Sequence, residues 1–180
     1  MKTILDSQKF NIVIERLSHQ LIENHTDFSN TVLIGIQPRG IFLSDRVVAY
    51  LSTLVKHKLQ YGKLDITFYR DDFNTGGEIH IPNKTEIDFS IEQKNVVLID
   101  DVLFTGRTIR SALDAILDFG RPKKVELMTL IDRKYSRELP IQADYVGMMI
   151  DSIISQKVKV YWNEKDGKDE VVLIDNNINK

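Results

Sequence analysis

Two adjacent carboxylates, Asp100 and Asp101, lie within the segment VVLIDDVLFTGRT, residues 96–108. Carboxylates of this kind can hold sugar hydroxyls or a hydrated divalent cation such as Mg²⁺. The loop after them leads into a predicted helix, whose unpaired N–H groups favour a phosphate. Gly106 allows the backbone to approach a ligand closely. Further donors in the loop come from Thr105, Arg107 and Thr108. Acids beside a phosphate loop therefore indicate a phosphorylated sugar bound together with Mg²⁺.

Two common phosphate loops are excluded, because the chain carries neither GxxxxGK[ST] nor GxGxxG. The alternative interpretation is an ordinary strand–loop–helix corner in which Asp101 or Thr105 caps the helix. An isolated pair of aspartates would favour that alternative. The full segment, residues 96–108, favours a ligand site instead.

The elements that position these acids follow from hydrophobic patterning. Residues 96–99 are all apolar and rich in β-branched side chains, which is typical of a strand buried on both faces of a parallel sheet. Apolar residues then repeat at helical spacing and predict a helix that ends near Phe119. They are Ile109, Leu113, Ile116 and Leu117. The acids therefore lie at the carboxyl end of a strand, where open α/β sheets bind ligands.

Two more predicted strands end in charged residues. Residues 32–36 lead to Arg39 and then to a helix predicted through about residue 58, and residues 125–131 lead to Asp132-Arg133. The apolar side of the helix comprises Val47, Val48, Leu51, Leu54 and Val55. Right-handed crossovers bring such strand ends together, and their convergence indicates an active site. Taken alone, Arg39 would be read as a surface residue.

The remaining segments give further predictions. Residues 7–25 predict an amphipathic helix capped by Asp6 or Ser7, and residues 64–69 alternate like a strand. The polar stretch of about residues 73–92 is too long for a passive connection, which indicates a mobile flap over bound substrate; a surface loop without a role is the alternative. Short predicted strands are residues 143–150, 158–162 and 171–174, and the polar tail is residues 175–180.

Composition limits the class of protein. The 180 residues fit one domain, 1–180, with 42% hydrophobic and 28% charged residues. The net charge of −2 excludes general binding of polyanions by the whole molecule and leaves a local basic patch open. No cysteine is present, which excludes disulfides and thiolate chemistry. Without a signal peptide or a membrane-crossing run, the expected location is the cytoplasm.

The segment 96–108, with its Phe104 and Arg107, resembles the phosphoribosyl-pyrophosphate (PRPP) motif of type I phosphoribosyltransferases. It is most similar to the PyrR family, pyrimidine operon attenuation regulators with uracil phosphoribosyltransferase activity. Other matching pieces are Ile4-Leu5-Asp6, Gly35-Ile36 with Arg39-Gly40, Asp65-Ile66-Thr67 with Tyr69-Arg70-Asp71-Asp72, residues 111–115, Gly120-Arg121-Pro122, Asp132-Arg133 and residues 137–145. The resemblance covers about residues 4–162. It implies an α/β fold of the type I phosphoribosyltransferase kind: a central, mostly parallel sheet flanked by helices, a flexible flap and a small base-binding hood.

The resemblance also implies an activity, in which uracil and PRPP give UMP and pyrophosphate with Mg²⁺ as cofactor. Its catalytic residues would be Asp100, Asp101 and Arg39, with Mg²⁺ held through PRPP near the two acids. The residues expected to bind PRPP or UMP are Pro38, Gly40, Tyr69, Arg70, Asp71, Val102, Leu103, Phe104, Thr105, Gly106, Arg107 and Thr108. The base would lie against Arg133 and the backbone of Val158. Trp162 is expected to pack in the interior rather than to stack on the base.

Two other functions stay open at this stage. One is a UMP-sensing regulator that binds pyrimidine leader RNA with weak or no catalysis, for which Arg16, His19 and Arg137 match the basic surface of the family. Against it, the usual cations are replaced at Asn24, Gln142 and Met148. The other is a purine phosphoribosyltransferase, because the PRPP loop is shared among these enzymes. The family further implies a homodimer or a higher homo-oligomer.

Overall fold

The computed structural model describes residues 1–71, 82–153 and 155–175. Its strands are β1 (Lys2–Leu5), β2 (Thr31–Ile36), β3 (Gln60–Leu64), β4 (Asn95–Leu103), β5 (Lys124–Lys134), β6 (Tyr145–Asp151), β7 (Gln156–Tyr161) and β8 (Glu170–Asp175). Five of them form a parallel sheet in the order β3-β2-β4-β5-β6. The other three form an antiparallel small sheet in the order β1-β8-β7. Because β2, β4 and β5 are parallel, their carboxyl ends lie at one edge of the main sheet, as predicted.

The helices are α1 (Ser7–His25), α2 (Gly40–Leu54), α3 (Arg107–Ile116) and the short α4 (Asn163–Asp166), with 3₁₀ turns at Thr67–Tyr69 and Leu117–Phe119. Asp6 caps α1 as predicted, because its side chain accepts a hydrogen bond of 2.9 Å from Lys9 N. No helix in the described part of the chain combines the length and the apolar character needed to cross a membrane.

Helices cover both faces of the main sheet. On one face Val97 and Ile99 of β4 pack with the core residues of α1 and α2. On the other face Val96 and Leu98 pack with α3. All four side chains are fully buried, so the prediction of a strand buried on both faces is confirmed.

Aromatic packing fixes the small sheet against the helices. The Trp162 ring lies 5.0 Å from the ring of Phe10 on α1, edge to face, and is stacked 5.8 Å from the ring of Phe42 on α2. Trp162 is fully buried. The expectation that it packs in the interior is therefore confirmed.

Two predicted boundaries and one predicted helix face are wrong. Residues 64–69 are not a strand, because Asp65 Oδ1 accepts a hydrogen bond of 2.6 Å from Thr67 N and turns the chain into the 3₁₀ turn. Helix α2 ends at Leu54, which is 47% exposed, rather than near residue 58. On α3 the buried side is formed by Ile109, Ala112, Ala115 and Ile116, whereas Leu113 and Leu117 are exposed. The side of α3 that faces the sheet is therefore formed partly by the two small alanine side chains, and both leucines lie outside it.

The predicted flap is only partly described. Residues 72–81 lie outside the described residues, as do residues 176–180 of the predicted tail. Residues 82–92 are held in place: Glu86 and Lys63 exchange backbone hydrogen bonds of 2.8 and 3.0 Å, and Ile91 is fully buried. These contacts describe one conformation of residues 82–92, and the mobility of the flap stays a prediction.

Candidate active site

The acid pair, Asp100 and Asp101, lies within β4, which runs on to Leu103. Both residues are only 7% exposed, and Asp101 N donates a hydrogen bond of 2.9 Å to Asp100 Oδ1. Burial raises the pKa of Asp100 well above its usual value, and the charge of Asp101 adds to this effect. Burial also raises the pKa of Asp101, although Arg39 acts in the opposite direction. Because burial removes water from the two carboxyl groups, cationic or hydroxyl groups of a ligand could take the place of that water.

Arg39 reaches the acid pair from the start of α2. Its Nε lies 3.0 Å from Asp101 Oδ2, and its Nη2 donates to the carbonyl oxygen of Val160 on β7. The close approach depends on Gly40, because a Cβ there would lie 2.4 Å from the carbonyl oxygen of Ile99. Arg39 thus joins the acid pair to the small sheet. The peptide between Gln37 and Pro38 is cis.

Between β4 and α3 the chain forms the β4–α3 loop, residues 104–106, in which Gly106 has a φ of 94°. The carbonyl oxygen of Thr105 accepts hydrogen bonds of 3.0 and 3.2 Å from the backbone N–H groups of Glu138 and Leu139. The carbonyl oxygens of Leu103 and Phe104 accept from the side chain of Arg137. In a trans peptide the N–H points opposite to the C=O. The N–H groups of residues 104–106 therefore point away from residues 137–139.

Two cavities meet at the acid pair. The first, of about 290 Å³, is lined by the predicted residues Pro38, Arg39, Arg70, Asp100, Asp101, Val102 and Thr108 and also by Gln37, Ile66 and Thr67. The second, of about 280 Å³, is lined by Arg39, Asp101, Val102, Val158 and Val160 with Lys157 and Lys159. Arg39, Asp101 and Val102 line both cavities. A ligand that fills both would have its middle beside Asp101.

The free edge of β7 forms one wall of the second cavity. β7 is the last strand of the small sheet, with β8 on one side only. The carbonyl oxygens of Gln156 and Val160 both point to the free side, because they accept hydrogen bonds from Arg133 (2.9 Å) and Arg39. Along a strand, alternate residues direct their backbone groups to the same side. Val158, between them, therefore presents its N–H and C=O at the free edge.

Arg133 connects the small sheet with the β4–α3 loop. Its Nε donates a hydrogen bond of 2.9 Å to Ser152 Oγ, and its guanidinium carbon lies 3.9 Å from the centre of the Phe104 ring. Burial lowers the pKa of Arg133. Arg133 lines neither of the two cavities, so its contact with a base stays a prediction.

Several predicted substrate residues line neither of the two cavities. Arg107 pairs with Asp71 and with Glu138, each at 2.7 Å. The hydroxyl of Tyr69 donates to Asp118 in the 3₁₀ turn after α3. Leu103 is buried in the core under α3. In this structure Arg107 and Tyr69 pair with carboxylates other than those of the acid pair.

The predicted RNA-binding cations do not form one open surface. Arg16 donates to the carbonyl oxygens of Val146 (3.3 Å) and Gly147 on β6. His19 Nε2 lies 3.3 Å from the hydroxyl of Tyr50. The guanidinium of Arg137 donates to carbonyl and carboxylate oxygens of its own chain, and its role in RNA binding stays a prediction.

Residues 1–165 match the model of the phosphoribosyl transferase domain. The chain belongs to the phosphoribosyltransferase family. It is 47% identical to the bifunctional protein PyrR of Haemophilus ducreyi over 173 residues, which cover 96% of each chain. It is 46% identical to the bifunctional protein PyrR of Desulfosudis oleivorans over 170 residues, which cover 94% of each chain. The resemblance to the PyrR family is therefore confirmed.

Solved phosphoribosyltransferases share the fold. The hypoxanthine phosphoribosyltransferase of Trypanosoma cruzi superposes with a TM-score of 0.73 over 97% of both chains at 15% identity. A hypoxanthine phosphoribosyltransferase of Staphylococcus aureus gives 0.70 over 94% of this chain and 90% of its own, at 22% identity. At such identities the likeness concerns the fold alone, and it confirms the predicted type I phosphoribosyltransferase fold.

Sequence reasoning missed some residues that line the two cavities of this phosphoribosyltransferase. Lys157 and Lys159 line the second cavity, where they alternate with Val158 and Val160. Alternation predicts a strand but not which cavity the strand borders. Gln37 also lines the first cavity. Its position directly before the predicted residue Pro38 is the one sequence feature that indicates this.

The acid pair suits a Mg²⁺ ion that is also bound by the substrate. In residues 1–71, 82–153 and 155–175, no three His, Cys, Asp or Glu side chains are grouped as metal ligands. A site with two carboxylates suits Mg²⁺, which commonly takes one or two carboxylates and fills its other positions with water and substrate phosphate oxygens. Asp100 and Asp101 line the first cavity, so Mg²⁺ bound there would lie near both carboxylates.

Proposed function

We propose that the chain transfers the phosphoribosyl group of PRPP to uracil and forms UMP and pyrophosphate. The observation that carries the proposal is the meeting of the two cavities at Arg39, Asp101 and Val102. A sugar phosphate in the first cavity and a base in the second would place the anomeric carbon beside Asp101. Transfer of the phosphoribosyl group requires the sugar phosphate and the base to be bound next to each other.

The acid pair would stabilise the reacting sugar. Pyrophosphate leaves with the electron pair of the C1–O bond, uracil N1 forms the new bond to C1, and the N1 proton is lost. Positive charge builds on the sugar before the new bond forms. The carboxylates of Asp100 and Asp101 would hold the ribose hydroxyls and offset this charge. Bound Mg²⁺ would supply neutralisation of the leaving pyrophosphate.

The phosphate and base ends would be held by backbone groups. The N–H groups of residues 104–106, together with Thr108, would bind the 5′-phosphate at the start of α3. The N–H and C=O of Val158 would pair with a C=O and an adjacent N–H of the base. Uracil carries such an edge, and so do the oxopurines. The preference for uracil is supported by the PyrR relatives, which are 43–47% identical to this chain.

Pyrimidine leader RNA is a less well supported partner. The PyrR family includes RNA-binding regulators, but Arg137 and Arg16 both donate to backbone oxygens of this chain. Affinity for RNA rests largely on cations that contact phosphates. Gel shifts with pyrimidine leader RNA at several salt concentrations, with and without UMP, test this role directly.

The experiment that tests the transferase is a panel of bases with PRPP and Mg²⁺, followed by pyrophosphate release. The bases are uracil, hypoxanthine, guanine, xanthine and orotate. Turnover with uracil and none with the others is the expected result. Turnover with a purine alone would overturn the uracil assignment. No turnover with any base, despite measurable binding of PRPP or UMP, would overturn catalysis and favour a UMP sensor.

A further inference from the structure

The side chain of Arg137 is surrounded by oxygen atoms of three chain segments. Its guanidinium donates to the carbonyl oxygens of Ile141 (2.9 Å) and Arg133 (3.1 Å) and to the carboxylate of Asp132. It also donates to the carbonyl oxygens of Leu103 (3.3 Å) and Phe104. The side chain is only 23% exposed. Arg137 therefore fastens the end of β4 to the end of β5 and to the chain that precedes β6.

This position is set by the main sheet. β4 pairs with β5 up to its last residue, with Leu103 opposite Asp132, and β5 continues to Lys134, where it pairs with β6. The carbonyl oxygens of Leu103 and Phe104, where the pairing with β5 ends, need other donors when they are not in water. Arg137 supplies several donors from one planar group. An ammonium group has three donors around one point and cannot span the same set.

The contacts of Arg137 are part of a wider contact with the β4–α3 loop. The backing segment, residues 137–139, donates to three successive carbonyl oxygens, those of Leu103, Phe104 and Thr105. Side chains add to the contact, because a Cβ on Gly106 would lie 3.2 Å from Ile141 Cδ1. Because the carbonyl oxygens of Leu103, Phe104 and Thr105 are held on one side, the N–H groups of the same three peptides, those of residues 104–106, point to the other side. This arrangement is what a backbone site for an anion requires.

We propose that Arg137 is a positioning residue for phosphate binding, which orients the N–H groups of residues 104–106 toward the 5′-phosphate of the substrate and of the nucleotide product. The proposal rests on the proposed function, because it assumes that this loop receives the phosphate. Arg137 itself does not touch the phosphate and acts through the loop.

The test compares ribose 5-phosphate with ribose, two probes that differ only in the phosphate and contain no base. Binding is measured by calorimetry or by competition for wild type, Arg137→Lys and Arg137→Gln. We expect each variant to weaken ribose 5-phosphate binding about tenfold or more and to leave the weak binding of ribose unchanged. In turnover, the KM for PRPP should rise more than kcat falls. Arg137→Lys should restore less than half of the affinity for ribose 5-phosphate that Arg137→Gln loses, because lysine keeps the charge but lacks the planar guanidinium group.

The matched control is Arg110→Lys, since Arg110 lies on the exposed side of α3 and pairs with Asp71 and Asp114. It should bind ribose 5-phosphate like wild type. Equal loss for ribose and ribose 5-phosphate in the Arg137 variants would show a general structural role and overturn the proposal. So would unchanged binding of ribose 5-phosphate.

A measurement on the unaltered chain covers the case in which the variants fail to fold. Ribose 5-phosphate should shift the backbone amide resonances of residues 104–106 and leave those of Glu138 and Leu139, already bonded to Thr105, nearly in place. Unmoved amides at residues 104–106 would overturn the inference. Failure of uracil turnover with intact ribose 5-phosphate binding would overturn the proposed function only, so the two failures are distinguishable.

Discussion

Arg39 Nε lies 3.0 Å from Oδ2 of Asp101, and the same guanidinium donates to the carbonyl oxygen of Val160. One side chain therefore spans the line along which the two cavities meet. If PRPP places a ribose hydroxyl on Asp101, Arg39 is released toward the leaving pyrophosphate, where its charge is needed.

Arg39→Lys should lower kcat/KM for PRPP by about 10²-fold, because an ammonium cannot contact both the carboxylate and the carbonyl of β7. The fold should persist, because the side-chain hydrogen bonds described for Arg39 go to Asp101 and Val160 and not to other residues of α2. Steady-state kinetics measures the effect, and Arg121→Lys, an exposed arginine before β5, is the control. Wild-type kinetics of Arg39→Lys would contradict the role assigned to the pair.

Asp100→Asn should lower activity strongly and stabilise the fold at neutral pH. Burial raises the pKa of Asp100, so between pH 4 and that raised pKa the folded state binds more protons than the unfolded state. The free energy of unfolding of wild type therefore falls as pH rises through this window. Asparagine does not ionise and can still accept the hydrogen bond from Asp101 N, so it avoids the loss.

The measurement is thermal unfolding of both proteins from pH 4 to pH 8, together with pyrophosphate release. Each kcal/mol corresponds to about 2–4 °C in a chain of this size, and we expect a higher Tm for Asp100→Asn at pH 7 that converges with wild type near pH 4. Turnover should fall about 10²- to 10³-fold. Asp114→Asn, an exposed carboxylate on α3, should change neither quantity. A lower Tm of Asp100→Asn at pH 7 would refute the argument.

Gly40→Ala should damage both stability and activity. The added Cβ would lie 2.4 Å from the carbonyl oxygen of Ile99 and 2.9 Å from Asp100 Cα, and backbone atoms cannot give way cheaply. We expect a loss of about 1–3 kcal/mol in the free energy of unfolding and displacement of Arg39 from the acid pair. Gly167→Ala separates the two effects, because Gly167 has a φ of 73° but open space around it. The free energy of unfolding of Gly167→Ala should fall by about 1 kcal/mol at most, and this variant should keep full activity in the pyrophosphate assay.

The sequence indicates those parts of the site that are local in the chain. The strand before Asp100, the acids and the glycine loop are contiguous, so composition and spacing predict their place at the end of β4. The strand expected at residues 64–69 fails because Asp65 captures the N–H of Thr67 and ends the strand at Leu64. Alternation of side chains does not report such a competing hydrogen bond.

Other parts of the site depend on contacts between distant segments. The exposed N–H and C=O of Val158 follow from which side of β7 pairs with β8, and only the assembled small sheet determines this. The positive charge of Arg137 is evident from the sequence, whereas the five oxygen atoms that accept hydrogen bonds from it are not. A side chain that bonds to carbonyl oxygens more than thirty residues away leaves no periodic signal in the chain.

The buried contact between His25 and Glu126 predicts sensitivity of the fold to acid. His25 Nε2 lies 2.8 Å from Glu126 Oε2, and its Nδ1 lies 3.0 Å from Thr31 Oγ1. Burial lowers the pKa of His25 below 6.5, with a further contribution from Lys124 and partial opposition from Glu126. The folded state thus binds fewer protons than the unfolded state just below pH 6.5. Stability is therefore fully present above that pH and is lost as the pH falls toward the lowered pKa of the folded state.

We expect the Tm of wild type to fall between pH 6.5 and pH 5 by a few degrees more than that of His25→Gln, whose residue 25 does not titrate. The comparison uses the slope of Tm against pH, because the substitution also removes packing against Phe28. His57→Gln, at an exposed histidine, should keep the wild-type slope. A slope for His25→Gln as steep as that of wild type would show that other groups, such as the carboxylates, govern unfolding in acid.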